Sequence, residues 1–332
     1  MVVNRLYRIL LNRHIHIIRN HITLIKVINI LKVWIYYAFN ISKGSFAPIY
    51  AKIETTDCCN LRCRYCHDEK TKRLNVFLDF NIYKDIIDSY KNYLLEVSLY
   101  DQGEPLIDPN IISYIEYAKK NNIGTIISTN LSMELSDDKI DKIINSGTDY
   151  IQVAIDGVTQ SVYETYRVGG NLERVLFNLE RLIKQKNKYN LKRPIIEWQM
   201  IDFSHNKGEQ EQAKKLAEEM GVDRFYLKSN VYDTYPNINY QRKKRCKLLW
   251  SSFAVECNGM LSACLVKDDE SLYVGDLNKN SITEIWNSSR YSELRKQSLI
   301  KESNFYCNHC NRFDGNKGVK SGNKENYVKQ WL

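Results

Sequence analysis

The sequence predicts an α/β protein: a partial (β/α)6 barrel followed by a small cysteine-rich C-terminal domain. Three observations carry this expectation. Short β-rich runs at 49–55, 95–100, 124–129, 150–155, 195–201 and 224–228 alternate with longer stretches of helical periodicity. Alternation of this kind implies a parallel sheet with right-handed crossovers, and six units are too few for a closed eight-stranded barrel. The nine cysteines fall in two groups, one directly after the first strand and one in the last third of the chain. The expected division is a basic apolar extension over 1–46, a barrel over 47–230 and a cysteine-rich region over 231–332.

Composition sets the outer limits. With 332 residues, 43% of them apolar and 26% charged, and with only 5 Pro and 14 Gly, the chain is globular and larger than one average domain. An odd number of clustered cysteines and no cleavable secretory signal point to metal ligation in a reducing cytoplasm, not to a disulfide framework. The net charge of +9 is localised: Arg5, Arg8, Arg13, Arg19, Lys26, Lys32, Lys43 and Lys52 all precede the first acidic residue, Glu54. The body is near neutral, so a nucleic-acid groove is not expected.

Within 1–46 no apolar stretch reaches the roughly 18 uncharged residues a spanning helix needs. The segment is basic, aromatic-bearing and free of acids. Two readings lead, a peripheral element on an anionic bilayer at the inner membrane surface or a helix packed across the outside of the barrel, and a transit peptide is a weaker third because the segment has few Ser. In the body, Ile82, Ile86, Tyr90 and Tyr93 mark a helix after a cap at Asp79, and a second helix over 208–220 stops at Gly221. In such sheets ligands gather at the carboxyl ends of the strands. Asp101, Asp202 and Lys228, placed after the second, after the fifth and at the end of the sixth strand, are therefore the acid or base candidates; His205 reads as a loop residue.

The first strand runs into Thr56-Asp-Cys-Cys-Asn-Leu-Arg-Cys-Arg-Tyr-Cys-His67. Cys59, Cys63 and Cys66 have C-x3-C-x2-C spacing, and three thiolates can hold three irons of a 4Fe-4S cluster with the fourth iron open. Zinc would ask for four ligands in paired spacing. Cys58 reads as loop packing. The triplet after a first β-strand resembles the radical S-adenosylmethionine (SAM) superfamily. The resemblance implies that SAM chelates the open iron and is cleaved reductively to a 5′-deoxyadenosyl radical, which abstracts hydrogen from a substrate.

Further segments resemble the family in order. Gly103-Glu104-Pro105 is similar to its GGEP motif, with Gln102 in place of the first Gly; the resemblance gives Glu104, beside Gly103, the SAM amino group. It assigns Tyr65 to adenine and Ser128 and Asn130 to the ribose and carboxylate. Asp156 and Arg167, in Ala154-Ile-Asp-Gly157 and Tyr166-Arg-Val-Gly-Gly170, resemble polar groups that reach SAM; a helix cap and a surface ion pair are the plain alternatives.

In the C-terminal region Cys246-x12-Gly259-x4-Cys264 followed by Cys307-x2-Cys310 resembles the auxiliary-cluster region of SPASM and twitch enzymes. The resemblance implies one auxiliary 4Fe-4S cluster on Cys246, Cys264, Cys307 and Cys310. Four thiolates ending in C-x2-C also suit structural zinc, which stays open. Cys257 reads as a strand residue. The resemblance leads to oxidation or epimerisation of a sugar, polyol or glycan precursor, with modification of a ribosomal peptide as the alternative and a noncatalytic iron-sulfur or zinc scaffold as a third class. A flavodoxin or ferredoxin reductant is implied in either enzyme reading.

Overall fold

The structure, a computed structural model, describes residues 13–66, 73–230, 246–265 and 270–298. Two helices, α1 (Arg13–His21) and α2 (Leu24–Ala38), come first. Six strands then follow with helices between them: β1 (Tyr50–Ile53), α3 (Phe80–Tyr90), β2 (Glu96–Ser98), α4 (Ile111–Lys120), β3 (Gly124–Thr129), α5 (Asp137–Asn145) and β4 (Tyr150–Ala154). After α6 (Gln160–Tyr166) and α7 (Leu172–Lys188) come β5 (Ile195–Asp202), α8 (Gln210–Met220) and β6 (Arg224–Ser229). All six strands pair in parallel, each beside its predecessor, so every expected strand lies where the alternation placed it.

Local signals set the helix ends. The Asp79 carboxylate accepts from the Asn81 amide at 2.7 Å and starts α3. Gly221, at φ +79°, ends α8 in the left-handed conformation that favours glycine. One expectation needs correcting: the buried face of α3 is Tyr83, Ile86, Ile87 and Tyr90, while Tyr93 lies in the turn beyond it. Tyr83 and Tyr114 bury their rings against each other, 4.8 Å between centroids, and hydroxyl bonds to backbone carbonyls satisfy their polar ends.

Side-chain alternation splits each strand between two environments. Ile53, Val97, Ile127, Val153, Trp198 and Met200 join the core beneath the helices. Their neighbours face the barrel interior and are largely polar: Lys52, Ser98, Ser128, Gln152, Gln199 and Lys228.

The C-terminal region is not a detached unit. After α9 (Leu248–Ser251), β7 (Ser252–Val255) pairs in parallel with β1, register Tyr50↔Ser252 to Ile53↔Val255. Then β8 (Met260–Ser262) and β9 (Tyr273–Asp276) extend the sheet antiparallel, to nine strands. The hairpin thereby covers the edge that β1 would otherwise leave unpaired. Cys257, expected in a strand, sits in the turn between β7 and β8. Among the described residues two further helices follow, α10 (Ile282–Trp286) and α11 (Ser289–Gln297).

Helices α1 and α2 lie across the amino ends of the strands, and α2 also meets the C-terminal region through Tyr37 and Trp250. Ile17 packs with Ile126 and Tyr150, and His21 reaches Asp149 at 3.0 Å and Asn122 at 3.2 Å. Asn29 bonds both ways with the Ala47 backbone, at 2.9 and 3.0 Å. No helix among the described residues is long and apolar enough to cross a membrane.

Candidate functional site

Beyond β1 the chain enters the cysteine loop, and the buried carboxylate of Asp57 holds it in place. Asp57 accepts backbone N–H groups from Leu74, from Asn75 at 3.1 Å and from Val76 at 2.9 Å, so the segment returning from the loop is tied to its beginning. The Arg73 guanidinium donates to the carbonyls of Cys59 at 2.9 Å and Leu61 at 3.3 Å. Cys63 packs with Leu61, Tyr166, Ile201 and Phe203, and Cys59 and Cys66 lie against the same group. The three cysteines of the C-x3-C-x2-C spacing therefore share one apolar seat. The Cys58 thiol is outside that set; its carbonyl accepts the Glu104 amide at 2.7 Å.

This seat fits an iron-sulfur cluster. Burial raises the Cys59 thiol above its ordinary value and pushes Cys66 up to about 12, so both stay protonated unless a cation compensates. N–H groups are aimed at two sulfurs: Asn130 Nδ2 lies 3.8 Å from Cys59 Sγ and Arg167 Nη1 3.9 Å from Cys63 Sγ. Among the described residues no three His, Cys, Asp or Glu side chains converge on the position of a single ion. A 4Fe-4S cluster asks for no such convergence, because each thiolate takes its own iron.

The end of β2 meets this loop. Glu104 is buried, its carboxylate accepting the amides of Leu106 at 3.1 Å and Asn130 at 2.7 Å. It thus joins the cysteine loop, the 3-10 turn Pro105–Ile107 and the end of β3. Burial pushes its carboxyl up to about 7, against the donors that favour the charge. At Gly103 a Cβ would collide with the Thr56 carbonyl, which is why the loops pass so closely there.

Asp156 and Arg167 form a buried pair at 2.6 Å, and Asp156 also accepts the Ile201 amide at 2.6 Å. Neither alternative reading holds, since Asp156 caps no helix and the ion pair is not on the surface. Tyr65 is 46% exposed at the mouth, its ring 6.1 Å from both Tyr166 and Phe203. Ser128 faces the interior and accepts from Gln152 at 2.9 Å.

The three acid or base candidates are dispersed. Asp101 pairs with Lys52, whose ammonium also donates to the Leu265 carbonyl at 3.2 Å. Asp202 accepts from Gln210 at 2.8 Å, and Lys228 is half-buried on β6. Burial lowers the pKa of His205, which stacks on Phe203 at 5.1 Å. Sequence reasoning missed Asp57 and Lys52. A buried-acid role for Asp57 carries no spacing signal, whereas Lys52 was legible as the polar alternate of an apolar strand.

Of the second cysteine set, Cys246 is buried in the core and Cys264 half-buried at the end of the hairpin. Cys307 and Cys310 lie outside the described residues. Cys257 stands apart, its thiol raised by burial and by Glu54 and Asp57.

Residues 53–191 match the Radical SAM superfamily, and residues 246–311 match the SPASM iron-sulfur cluster-binding domain. The mycofactocin maturase MftC of Mycobacterium tuberculosis is 29% identical over 142 residues, 42% of this chain and 36% of MftC. The chain thus spans about a third of the length of that curated relative. Streptococcus suis SuiB bound to its precursor peptide SuiA superimposes with TM-score 0.60 at 13% identity, covering 80% of this chain and 70% of SuiB. BtrN in complex with AdoMet and 2-DOIA gives TM-score 0.52 at 14% identity, over 86% and 98% of the two chains.

Proposed function

This chain is a radical SAM superfamily enzyme with a C-terminal SPASM-type iron-sulfur region, and from that premise we propose that it modifies a peptide by hydrogen abstraction. The observation that carries the peptide reading is the stretch shared with MftC, a maturase. The SuiB fold, seen with a precursor peptide, supports it, as does a barrel left open beside β6. This reverses the expectation from sequence, which favoured a sugar or polyol. That reading keeps one support in the BtrN fold, whose whole length this chain nearly covers.

In the proposed arrangement Cys59, Cys63 and Cys66 hold the radical-generating cluster, and Cys246, Cys264, Cys307 and Cys310 hold the auxiliary one. The first cluster, when bound, supplies the electron that splits SAM into methionine and a 5′-deoxyadenosyl radical. The residues around it position and shield. Glu104 receives an N–H of the SAM amino group, a hydrogen bond that favours its charged form against the burial that raises its carboxyl. Gly103 keeps the loops close enough for that contact, Ser128 and Asn130 meet the ribose and carboxylate, and the Tyr65 backbone contacts the adenine. Asp156 fixes the Arg167 guanidinium near Cys63 and the bound cofactor. Asp101, Asp202 and Lys228 remain proton-transfer candidates around the mouth.

Anaerobic reconstitution tests the assignment. About eight irons per chain are expected in the wild type and about four in a Cys59→Ala, Cys63→Ala, Cys66→Ala variant, with 5′-deoxyadenosine formed from SAM only by the wild type. Four irons plus one zinc in the wild type would remove the auxiliary cluster. Deoxyadenosine formation stimulated by short peptides encoded beside the gene, with a mass change on the peptide, supports the peptide reading; stimulation by polyols alone returns the assignment to sugar chemistry.

A further inference from the structure

Helix α2 is amphipathic in an unusual sense, because its polar groups point inward. The buried side carries Lys26, Asn29 and Val33. Lys26 is 1% exposed and its ammonium donates to the backbone carbonyls of His21 and Asn122, so this cation is consumed in docking the helix to the barrel. The opposite side is apolar and bare. Leu24, Ile28, Leu31, Trp34, Ile35 and Phe39 are 75, 46, 57, 52, 51 and 76% exposed. At 100° per residue Leu24, Ile28, Leu31, Ile35 and Phe39 fall within one narrow stripe, with Trp34 on its flank.

A contiguous exposed apolar face of this kind marks an interaction site, and its surroundings identify the partner. Exposed cations stand before, along and after the helix at Arg19, Lys32 and Lys43, and no Asp or Glu occurs ahead of Glu54. An apolar stripe with an indole on its flank, in a segment whose charged residues are all basic, fits the boundary between acyl chains and anionic headgroups. The helix is 15 residues long, too short to span a bilayer, so it would lie in the interface plane. It also crosses the amino ends of the strands, at the pole opposite the cysteine loop. A bilayer on that face leaves the mouth directed at the aqueous phase.

We propose that the outer face of α2 docks the enzyme peripherally on an anionic lipid bilayer. The inference is independent of the substrate: it holds for a peptide or a polyol equally.

Co-sedimentation of the full-length reconstituted protein with vesicles tests it, using phosphatidylcholine alone and phosphatidylcholine mixed with phosphatidylglycerol. The wild type should sediment with the anionic vesicles, less with neutral ones, and progressively less as salt is added. A Leu31→Gln, Ile35→Gln variant should lose roughly tenfold or more in partitioning. Its thermal midpoint and its SAM cleavage should stay unchanged, because both side chains are already exposed. Failure of the wild type to sediment with anionic vesicles overturns the proposal, as does equal sedimentation of the double variant. Reversible self-association of the wild type that the double variant abolishes, without vesicle binding, places a second copy on this face and also overturns it.

Discussion

Gly103 and Asp57 show how closely the cysteine loop is specified by single residues. Gly103→Ala would drive a methyl group into the Thr56 carbonyl, and backbone cannot give way as a flexible side chain could. The expected cost is about 1–3 kcal/mol, with weakened SAM binding because Glu104 is the next residue. A urea midpoint together with binding calorimetry checks both parts. Asp57→Ala strands three backbone N–H groups that the carboxylate now accepts. We expect about 3 kcal/mol of destabilisation and faster loss of iron to a chelator, read by denaturation and by absorbance. Restoration by Asp57→Asn should be only partial, since one amide oxygen replaces two carboxylate oxygens.

At the scale of elements, the attachment of α2 couples stability to pH. Burial lowers Lys26 from an ordinary value of 10.5 to about 8. Between those values the unfolded chain binds the proton and the folded chain does not, so stability rises with pH through that window. Below about pH 8 the folded protein carries the cost of a buried ammonium, partly offset by the carbonyls of His21 and Asn122. Thermal midpoints of the wild type should therefore climb from pH 8 toward 10.5 relative to those of Lys26→Met, whose profile should lack this component. Equal slopes for the two proteins would show that Lys26 titrates normally.

For the whole molecule, Arg295 joins parts that are far apart in sequence. Its guanidinium is buried among the rings of Phe46, Trp286 and Tyr291, at 4.9, 4.5 and 4.3 Å, and donates to the carbonyls of Ser42 and Leu249 at 3.0 and 2.8 Å. The N-terminal segment, the hairpin sheet and the C-terminal helices meet at this one cation. Arg295→Leu removes the guanidinium, orphaning the carbonyls and losing the ring contacts, an expected loss of about 3 kcal/mol. Hydrogen exchange should rise in residues 41–47 and 248–255 together. A rise confined to α11 would mean that the parts are held independently.

Much of this architecture was legible in one dimension. Alternating strand and helix periodicity located all six barrel strands, because a buried parallel strand and an amphipathic helix leave different apolar periods. The cysteine spacing and Gly103-Glu104-Pro105 singled out two segments that the structure brings together at the carboxyl ends of β1 and β2, because each directly follows a strand. Other features depend on contacts between distant segments, which no local pattern records. The pairing of β7 with β1, the inward turn of Lys26 on a helix whose apolar side faces out, and the convergence on Arg295 all arise that way. Where a residue's burial is set by a partner 253 positions away, as with Arg295 against Ser42, its role follows from packing.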